Sequence, residues 1–499
     1  MDFFSNLELG FQTALNPWNL LYCFVGCLLG TAVGVLPGLG PVATIAMLLP
    51  LTFSLSPDTA MIMLAGIYYG AQYGSSTTAI LINLPGEAGS IVTAIDGYEM
   101  AKQGRAGQAL AVAALGSFFA GTVATLILAL FAPVLAGFAL KFGPAEYFSL
   151  MVLGLVASVT LASGSLLKAF AMIVLGLLLG LVGTDVESGT LRYTFGIPSL
   201  ADGLDFVALS MGVFGINEII FNIEHEQKRN VIVRKVSKLM LTAAELKSVI
   251  APVLRGTGIG TVLGILPGGG AVLASFAAYA VESRVSKNRS QFGKGAIQGV
   301  AAPESANNAG AQTSFIPMLT LGIPSNPVMA MMIGALVIQG ITPGPNVATE
   351  QPALFWGLIA SMWVGNLMLV LLNLPLIGIW VRMLMVPYHY LAPAIVAICC
   401  IGAYSVYNDS FSIYTMALFG LVGYILIKLD FEPAPLLLGF VLGPMLEENL
   451  RRAMVLSRGD PTVFLTRPGS LMLIVLAAIL LVLVLLPSIR SKREEAFQE

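Results

Sequence analysis

The chain writes one short stretch twice. Gly34-Val35-Leu36-Pro37-Gly38-Leu39-Gly40-Pro41 closes an apolar run, and Gly264-Ile265-Leu266-Pro267-Gly268-Gly269-Gly270-Ala271 closes another, 230 positions later in a chain of 499 residues. Both copies are led by Gly-Thr, at Gly30-Thr31 and Gly260-Thr261. A second interruption follows each. Gly70-Ala71-Gln72 leads through an apolar run to Leu84-Pro85-Gly86, and Gly310-Ala311-Gln312 leads through another to Ile323-Pro324-Ser325.

Such breaks limit what an apolar chain can become. In hydrocarbon every backbone N–H and C=O needs a partner inside the protein, so a broken helix survives only where it is buried or lines a wet cavity. Proline removes a donor and clashes with the preceding turn, while glycine lets the chain turn with positive φ. Pro-Gly-x-Gly therefore ends one helix and starts another, and the new N-terminus carries free N–H groups that attract anions. A lone Pro-Gly reads most simply as a packing kink. Paired interruptions in two related halves point instead to a transporter's binding site.

Composition supports a membrane setting. Hydrophobic residues make up 57% of the chain and charged residues 10%, with a mean hydropathy of +0.87, against about 25% charged in an average soluble domain. Continuous uncharged runs such as Ala109 to Leu140 and Leu471 to Leu486 suit helical spans rather than the short alternating segments of a barrel. Cys23, Cys27, Cys399 and Cys400 lack metal-site or redox spacing, and His225 and His389 are the only histidines. The N-terminus carries Asp2 and Glu8 and no basic region, so no cleavable signal is expected; residues 3 to 15 read as an amphipathic surface segment.

Spans are expected at 20–36, 109–140, 146–162, 166–183, 206–223, 249–266, 353–379, 391–406, 411–428, 433–446 and 470–487, with shorter apolar pieces at 41–53, 61–69, 271–281 and 315–340. Glu224 to Ser248 carries Lys228, Arg229, Arg234, Lys235, Lys238 and Lys247 and reads as a cytoplasmic connector by the positive-inside rule, not as a nucleic-acid surface. Arg490, Lys492 and Arg493 suggest a cytoplasmic C-terminus. The resulting organisation is a first half (1–223), the connector (224–248), a second half (249–446), and an interfacial segment with the last span and tail (447–499).

The fold class expected is an all-α polytopic membrane protein with about twelve transmembrane elements, discontinuous or re-entrant helices, and two related, inverted repeats. Candidate substrate-binding residues are Pro37, Gly38, Gly40, Ser75, Ser76, Pro85, Gly86, Pro267, Gly268, Gly270, Asn307, Asn308, Thr313, Ser314, Pro324 and Ser325. Glycines admit close backbone approach; Ser, Thr and Asn donate to carboxylate oxygens, and helix N-termini add positive potential. Asn83, Thr77 and Asn326 mark a sodium neighbourhood. The cluster Gly74 to Thr78 reads as a polar patch facing the cavity, or as an ordinary loop or hydroxyls bonding back to the preceding turn. Glu304 reads either as a coupling site or as a surface carboxylate, and Arg255 as a snorkelling side chain. No His-Glu-x-x-His, Gly-x-Ser-x-Gly or Walker motif is present, so neither an enzyme nor an ATP-driven pump is expected. A channel would favour ringed, identical pore loops over two diverged halves.

The glycine-proline signature at 30–41 resembles that of the large membrane subunit of tripartite tricarboxylate transporters, TctA. The likeness continues in Leu84-Pro85-Gly86, Asp96-Gly97-Tyr98, Phe142-Gly143-Pro144-Ala145-Glu146-Tyr147, Val300-Ala301-Ala302-Pro303-Glu304, Ala306-Asn307-Asn308-Ala309, Ser314 to Gly322, Ile341-Thr342-Pro343-Gly344-Pro345, Leu438 to Gly443 and Asn449-Leu450-Arg451-Arg452-Ala453. The resemblance implies a secondary transporter of the bacterial inner membrane that works with a small membrane subunit (TctB-like) and a periplasmic solute-binding protein (TctC-like). It further implies uptake of citrate-like carboxylates, sodium as coupling ion with no other cofactor, and an elevator motion. A binding-protein-independent carboxylate carrier or channel is the alternative.

Overall fold

The tightest helix contacts are made where side chains are missing. The computed structural model describes residues 3–161, 165–185, 188–224, 236, 239–266 and 270–485. The first half comprises α1 (Phe3–Ala14), α2 (Pro17–Gly34), α3 (Pro41–Leu48), α4 (Pro57–Ile82), α5 (Ile91–Lys102), α6 (Ala106–Ala139), α7 (Pro144–Leu161), α8 (Leu166–Gly180), α9 (Phe206–Ser210) and α10 (Asn217–Glu224). A small antiparallel hairpin, β1 (Gly183–Thr184) with β2 (Leu191–Arg192), separates α8 from α9. Then come α11 (Ala243–Gly264), α12 (Gly270–Val285), α13 (Gln298–Thr313), α14 (Phe315–Leu321), α15 (Pro327–Ile338), α16 (Val347–Glu350) and α17 (Pro352–Asn373). The chain finishes with α18 (Ile377–Leu384), α19 (Tyr388–Tyr407), α20 (Ser410–Lys428), α21 (Pro433–Leu456), α22 (Val463–Thr466) and α23 (Pro468–Leu485).

Proline opens many of these helices. Pro17, Pro41, Pro57, Pro327, Pro352 and Pro433 sit in the first turn of α2, α3, α4, α15, α17 and α21, where the missing N–H has no partner to lose and φ is already helical. By length and composition, six helical stretches among the described residues are fit to cross a membrane: α2, α6, the run 206–224, α17, α19 and α20. Shorter apolar helices cover 41–52, 144–159, 166–180, 327–338 and 468–482. Two boundaries differ from expectation. The polar cluster Gly74 to Thr78 lies inside α4, which runs unbroken to Ile82, and residues 447–456 continue α21 instead of starting a separate segment.

Two helix pairs are zipped by glycines four apart. On α2, a Cβ at Gly26, Gly30 or Gly34 would fall on the carbonyl of Met63, Ile67 or Ala71 of α4. On α11, a Cβ at Gly256, Gly260 or Gly264 would fall on the carbonyl of Ala302, Ala306 or Gly310 of α13. Contacts rising together in number make each pair parallel. The second set of glycines lies 230 positions after the first, the same offset as the doubled break. Without a hydrophobic drive between helices in lipid, such close backbone contact is what holds them together.

α12 reverses the course of α11. Arg255 of α11 makes a two-pronged pair with Glu282 of α12, Nε to Oε2 and Nη2 to Oε1 each at 2.8 Å, while Gly264 and Gly270 face each other at the opposite end. Arg255 therefore neutralises a carboxylate only 1% exposed. Asp96 of α5 plays a comparable part. It accepts from the Tyr279 hydroxyl (2.9 Å) and from the N–H groups of Gly295 (2.9 Å) and Ala296 (2.8 Å), tying the start of α13 to α5 and α12. Glu146 accepts from Gly143 N–H (3.0 Å) and Arg467 Nε (2.8 Å), joining the starts of α7 and α23.

Adding one methyl group tests the zippers. Gly30→Ala and Gly260→Ala are each expected to destabilise by about 1–3 kcal/mol, the usual cost of overpacking, read as a lower thermal midpoint in detergent. Gly137→Ala, whose Cβ would meet nothing within 4 Å, is expected to be neutral. Equal effects at all three positions would contradict this account of the contacts.

Candidate functional site

The interruptions lie against one another. Gly38 turns with φ +83° beside the Asn222 side chain of α10, and Gly40 caps α3 with its Cβ position 2.7 Å from the Gly86 carbonyl oxygen. Gly86 in turn abuts the Ser75 hydroxyl, and the hydroxyls of Ser75 and Ser90 lie 3.0 Å apart. In the second half, Gly270 at the start of α12 adjoins Ser314. Ser314 accepts from Asn326 Nδ2 (3.0 Å), and its carbonyl accepts from the Ser325 hydroxyl (3.2 Å). Gly322 ends α14 at φ +69°, Pro324 follows buried, and Asn326 caps α15 by accepting from Met329 N–H (3.0 Å).

Side chains of α13 join the two sets. Asn307 Nδ2 donates to Glu87 Oε1 at 2.6 Å, immediately after the Leu84-Pro85-Gly86 break. Gly89 packs against the same asparagine, its Cβ position 2.8 Å from Oδ1. Asn308 Nδ2 donates to Ser117 Oγ of α6 (2.7 Å) and to the Glu304 carbonyl (3.1 Å). Glu304 is fully buried and accepts from Ser76 Oγ of α4 (2.8 Å) and Thr93 Oγ1 of α5 (2.7 Å). Its burial overturns the reading of this residue as a surface carboxylate. In the 74–78 cluster the hydroxyls of Ser76 and Thr77 bond back to the carbonyls of Gln72 and Tyr73 (3.1 Å each) within a continuous helix, which overturns the loop reading, and Ser76 also donates to Glu304 (2.8 Å).

The structure thus brings together Gly40, Ser75, Ser76, Gly86, Gly270, Asn307, Asn308, Ser314 and Ser325. Pro37 and Pro85 belong to the loops that make the turns. Thr313 bonds to the Ala309 carbonyl (3.1 Å) beneath Gly264, on the face of α13 turned to α11. Pro267 and Gly268 lie outside the described residues, as do the basic positions 228–235 and the tail 488–499. The residues expected around sodium are held by different neighbours. Thr77 bonds within α4, Asn83 is the exposed left-handed cap at the end of that helix, and Asn326 caps α15.

Three polar participants, Glu87, Thr93 and Ser117, are not among the residues the sequence singles out. One polar residue in an apolar helix is a weak signal, because only the packing partner tells whether it bonds its own helix or its neighbour. Unsatisfied groups also gather here. Asn307 Oδ1 and both side-chain polar atoms of Gln72 are buried without a hydrogen-bond partner, a condition that calls for a ligand, water or ion.

Long apolar helices, interrupted in pairs around a buried centre of carboxylates, amides and hydroxyls, define a multi-pass α-helical membrane protein with an internal polar site. The model of the family described as "Tripartite tricarboxylate transporter TctA family" matches residues 20–438. The chain belongs to that family, a family of transporters and not of enzymes. It is 62% identical over 499 residues to an Agrobacterium vitis protein named "Uncharacterized 52.8 kDa protein in TAR-I ttuC' 3'region", covering 100% of this chain and 99% of that one. A second A. vitis protein, "Uncharacterized protein in TAR-II ttuC' 3'region", is 64% identical over 240 residues, 48% of this chain and 99% of its own length. No solved structure matches the chain.

If Asn307 and Ser76 serve the site, Asn307→Ala combined with Ser76→Ala lowers solute uptake at least tenfold, about 1.4 kcal/mol, in protein that still elutes as a single folded species. Unchanged uptake kinetics in the double variant would contradict the assignment.

Proposed function

We propose that this chain is the large membrane subunit of a binding-protein-dependent secondary transporter that imports carboxylates. The observation that carries the reading is the bond between Glu87, at a break of the first half, and Asn307, on a helix of the second. A donor in a dehydrated pocket already engaged by a carboxylate is suited to accept a substrate carboxylate in its place, and the starts of α3, α12 and α15 contribute positive potential nearby. Family membership supports the further parts of the reading: a small membrane subunit, a soluble partner that delivers the solute, residence in the bacterial inner membrane, and citrate-like tricarboxylates or other carboxylates as cargo. Import is driven by a cation gradient, with sodium as the ion.

The 230-residue offset shared by the Pro-Gly signature and the glycine zippers supports two repeats, 1–223 and 249–446, joined by the 224–248 connector. Inverted halves in which one body moves against the other give alternating access, and the form we infer is an elevator stroke that carries the break-lined site with the moving body against a scaffold.

Uptake into proteoliposomes holding this chain and its small partner tests the proposal, with citrate, dicarboxylates and aromatic acids as labelled solutes. Accumulation that needs both an inward sodium gradient and the soluble binding protein is the expected result. Uptake that only equilibrates, indifferent to both, would mean a channel or an independent carrier.

A further inference from the structure

Beside the break-lined centre, between α4, α6, α13 and the end of α17, lies a cavity of about 20 Å³. Tyr73, Ser76, Thr77, Ser117, Glu304 and Asn373 supply its polar lining. That volume holds one water or one bare ion. It is too small for a carboxylate solute.

Its chemistry is one-sided. Glu304, 1% exposed, has hydroxyl partners in Ser76, Thr93 and Ser117, and no Lys, Arg or His among the described residues pairs with it. A carboxylate stripped of water and left without a positive partner is among the costliest groups to bury. Across the same cavity Asn373, 4% exposed, spends its amide N–H on the Leu369 carbonyl (2.9 Å), while its Oδ1 has no partner at all. The hydroxyls are equipped to offer lone pairs. Thr77 already donates to the Tyr73 carbonyl, and Ser76 has the Gln72 carbonyl as an alternative acceptor for its hydrogen, each at 3.1 Å. Ser117 accepts from Asn308 and keeps its own hydrogen for Glu304.

We propose that Glu304, Ser76, Thr77, Ser117 and Asn373 form a binding site for one sodium ion. Five oxygens with a single negative charge suit a hard monovalent cation: a divalent ion would leave uncompensated charge, and the donors include no nitrogen or sulfur for a softer metal. Ion and solute sites then share α13, because Asn307 and Asn308 follow Glu304 by three and four residues, about one helical turn. Filling the cavity fixes the turn of α13 that presents Asn307 to the solute. This inference rests on the cation-coupled reading above, but occupancy of the site does not depend on transport.

Binding is therefore measured first on the purified full chain, as the thermal midpoint in sodium chloride against equal choline chloride. A ligand bound only by the folded state raises the midpoint saturably. The wild type is expected to be stabilised by sodium. Glu304→Gln, close in shape but neutral, is expected to lose the dependence, and Asn373→Ala, which leaves the carboxylate intact, to need at least tenfold more sodium. Sodium stabilisation retained in both variants would overturn the site. So would indifference to sodium combined with a pH-dependent midpoint abolished by Glu304→Gln, since a proton would then be the occupant; Tyr73 and Glu87 are the other titratable groups facing Glu304. Transport separates the two inferences. Sodium binding lost in the variants, with wild-type uptake indifferent to a sodium gradient, supports the site and refutes the coupling.

Discussion

A backbone amide inside hydrocarbon has nowhere to turn but to the protein itself, and this requirement governs the whole arrangement. Each interruption of a helix frees groups that something must satisfy. Here the answer is mutual: the breaks face one another and share their polar neighbours, as when Gly40 meets the Gly86 carbonyl and Asn326 reaches the Ser314 hydroxyl. Bringing broken segments so close requires backbones to touch. The glycine zippers of α2 on α4 and α11 on α13 end at Gly34 and Gly264, where the first and third breaks begin.

Buried charge is treated in two ways. Glu282 and Glu146 have arginines, Arg255 and Arg467, which makes them structural ties. Asp96 has two backbone amides and a tyrosine, an arrangement that pins the start of α13. Glu304, and beside it the half-buried Glu87, have only neutral donors and lie in the centre. Removing a partner from the first group leaves a stranded charge and destabilises the fold. The second group stands next to cavity and break, where an ion or solute can change its neighbours.

Much of this is legible in the sequence. Proline at helix starts and glycine at the breaks act through local backbone geometry, and so α2, α3 and α12 fall within a few residues of expectation. The doubled signature identified the centre, and Asn307, Ser76 and Ser314 belong to it. The continuity of α4 through Gly74 to Thr78 was not legible, because small hydroxyl residues read as a loop until their back-bonds to the previous turn are seen. The pairing of Arg255 with Glu282 and of Thr93 with Glu304 depends on which helix faces which, information that a single chain holds only in its packing. The zipper glycines carried a readable signal, three residues at four-residue spacing in both halves, hidden by the more obvious breaks that follow them.

The central claim is that one site is built from both halves, and cross-linking tests it most directly. With the four native cysteines replaced and a protease site placed in the 224–248 connector, Gly89→Cys and Asn307→Cys join a first-half loop to a second-half helix. The Cβ position of Gly89 lies 3.2 Å from Asn307 Cγ, compatible with disulfide geometry after replacement of both side chains. Mild oxidation in membranes is expected to hold the two cleaved halves together on a non-reducing gel, with the reaction slowed by a transported carboxylate. Halves that separate completely, although each single-cysteine protein folds, would mean that the breaks of the two halves do not share a site.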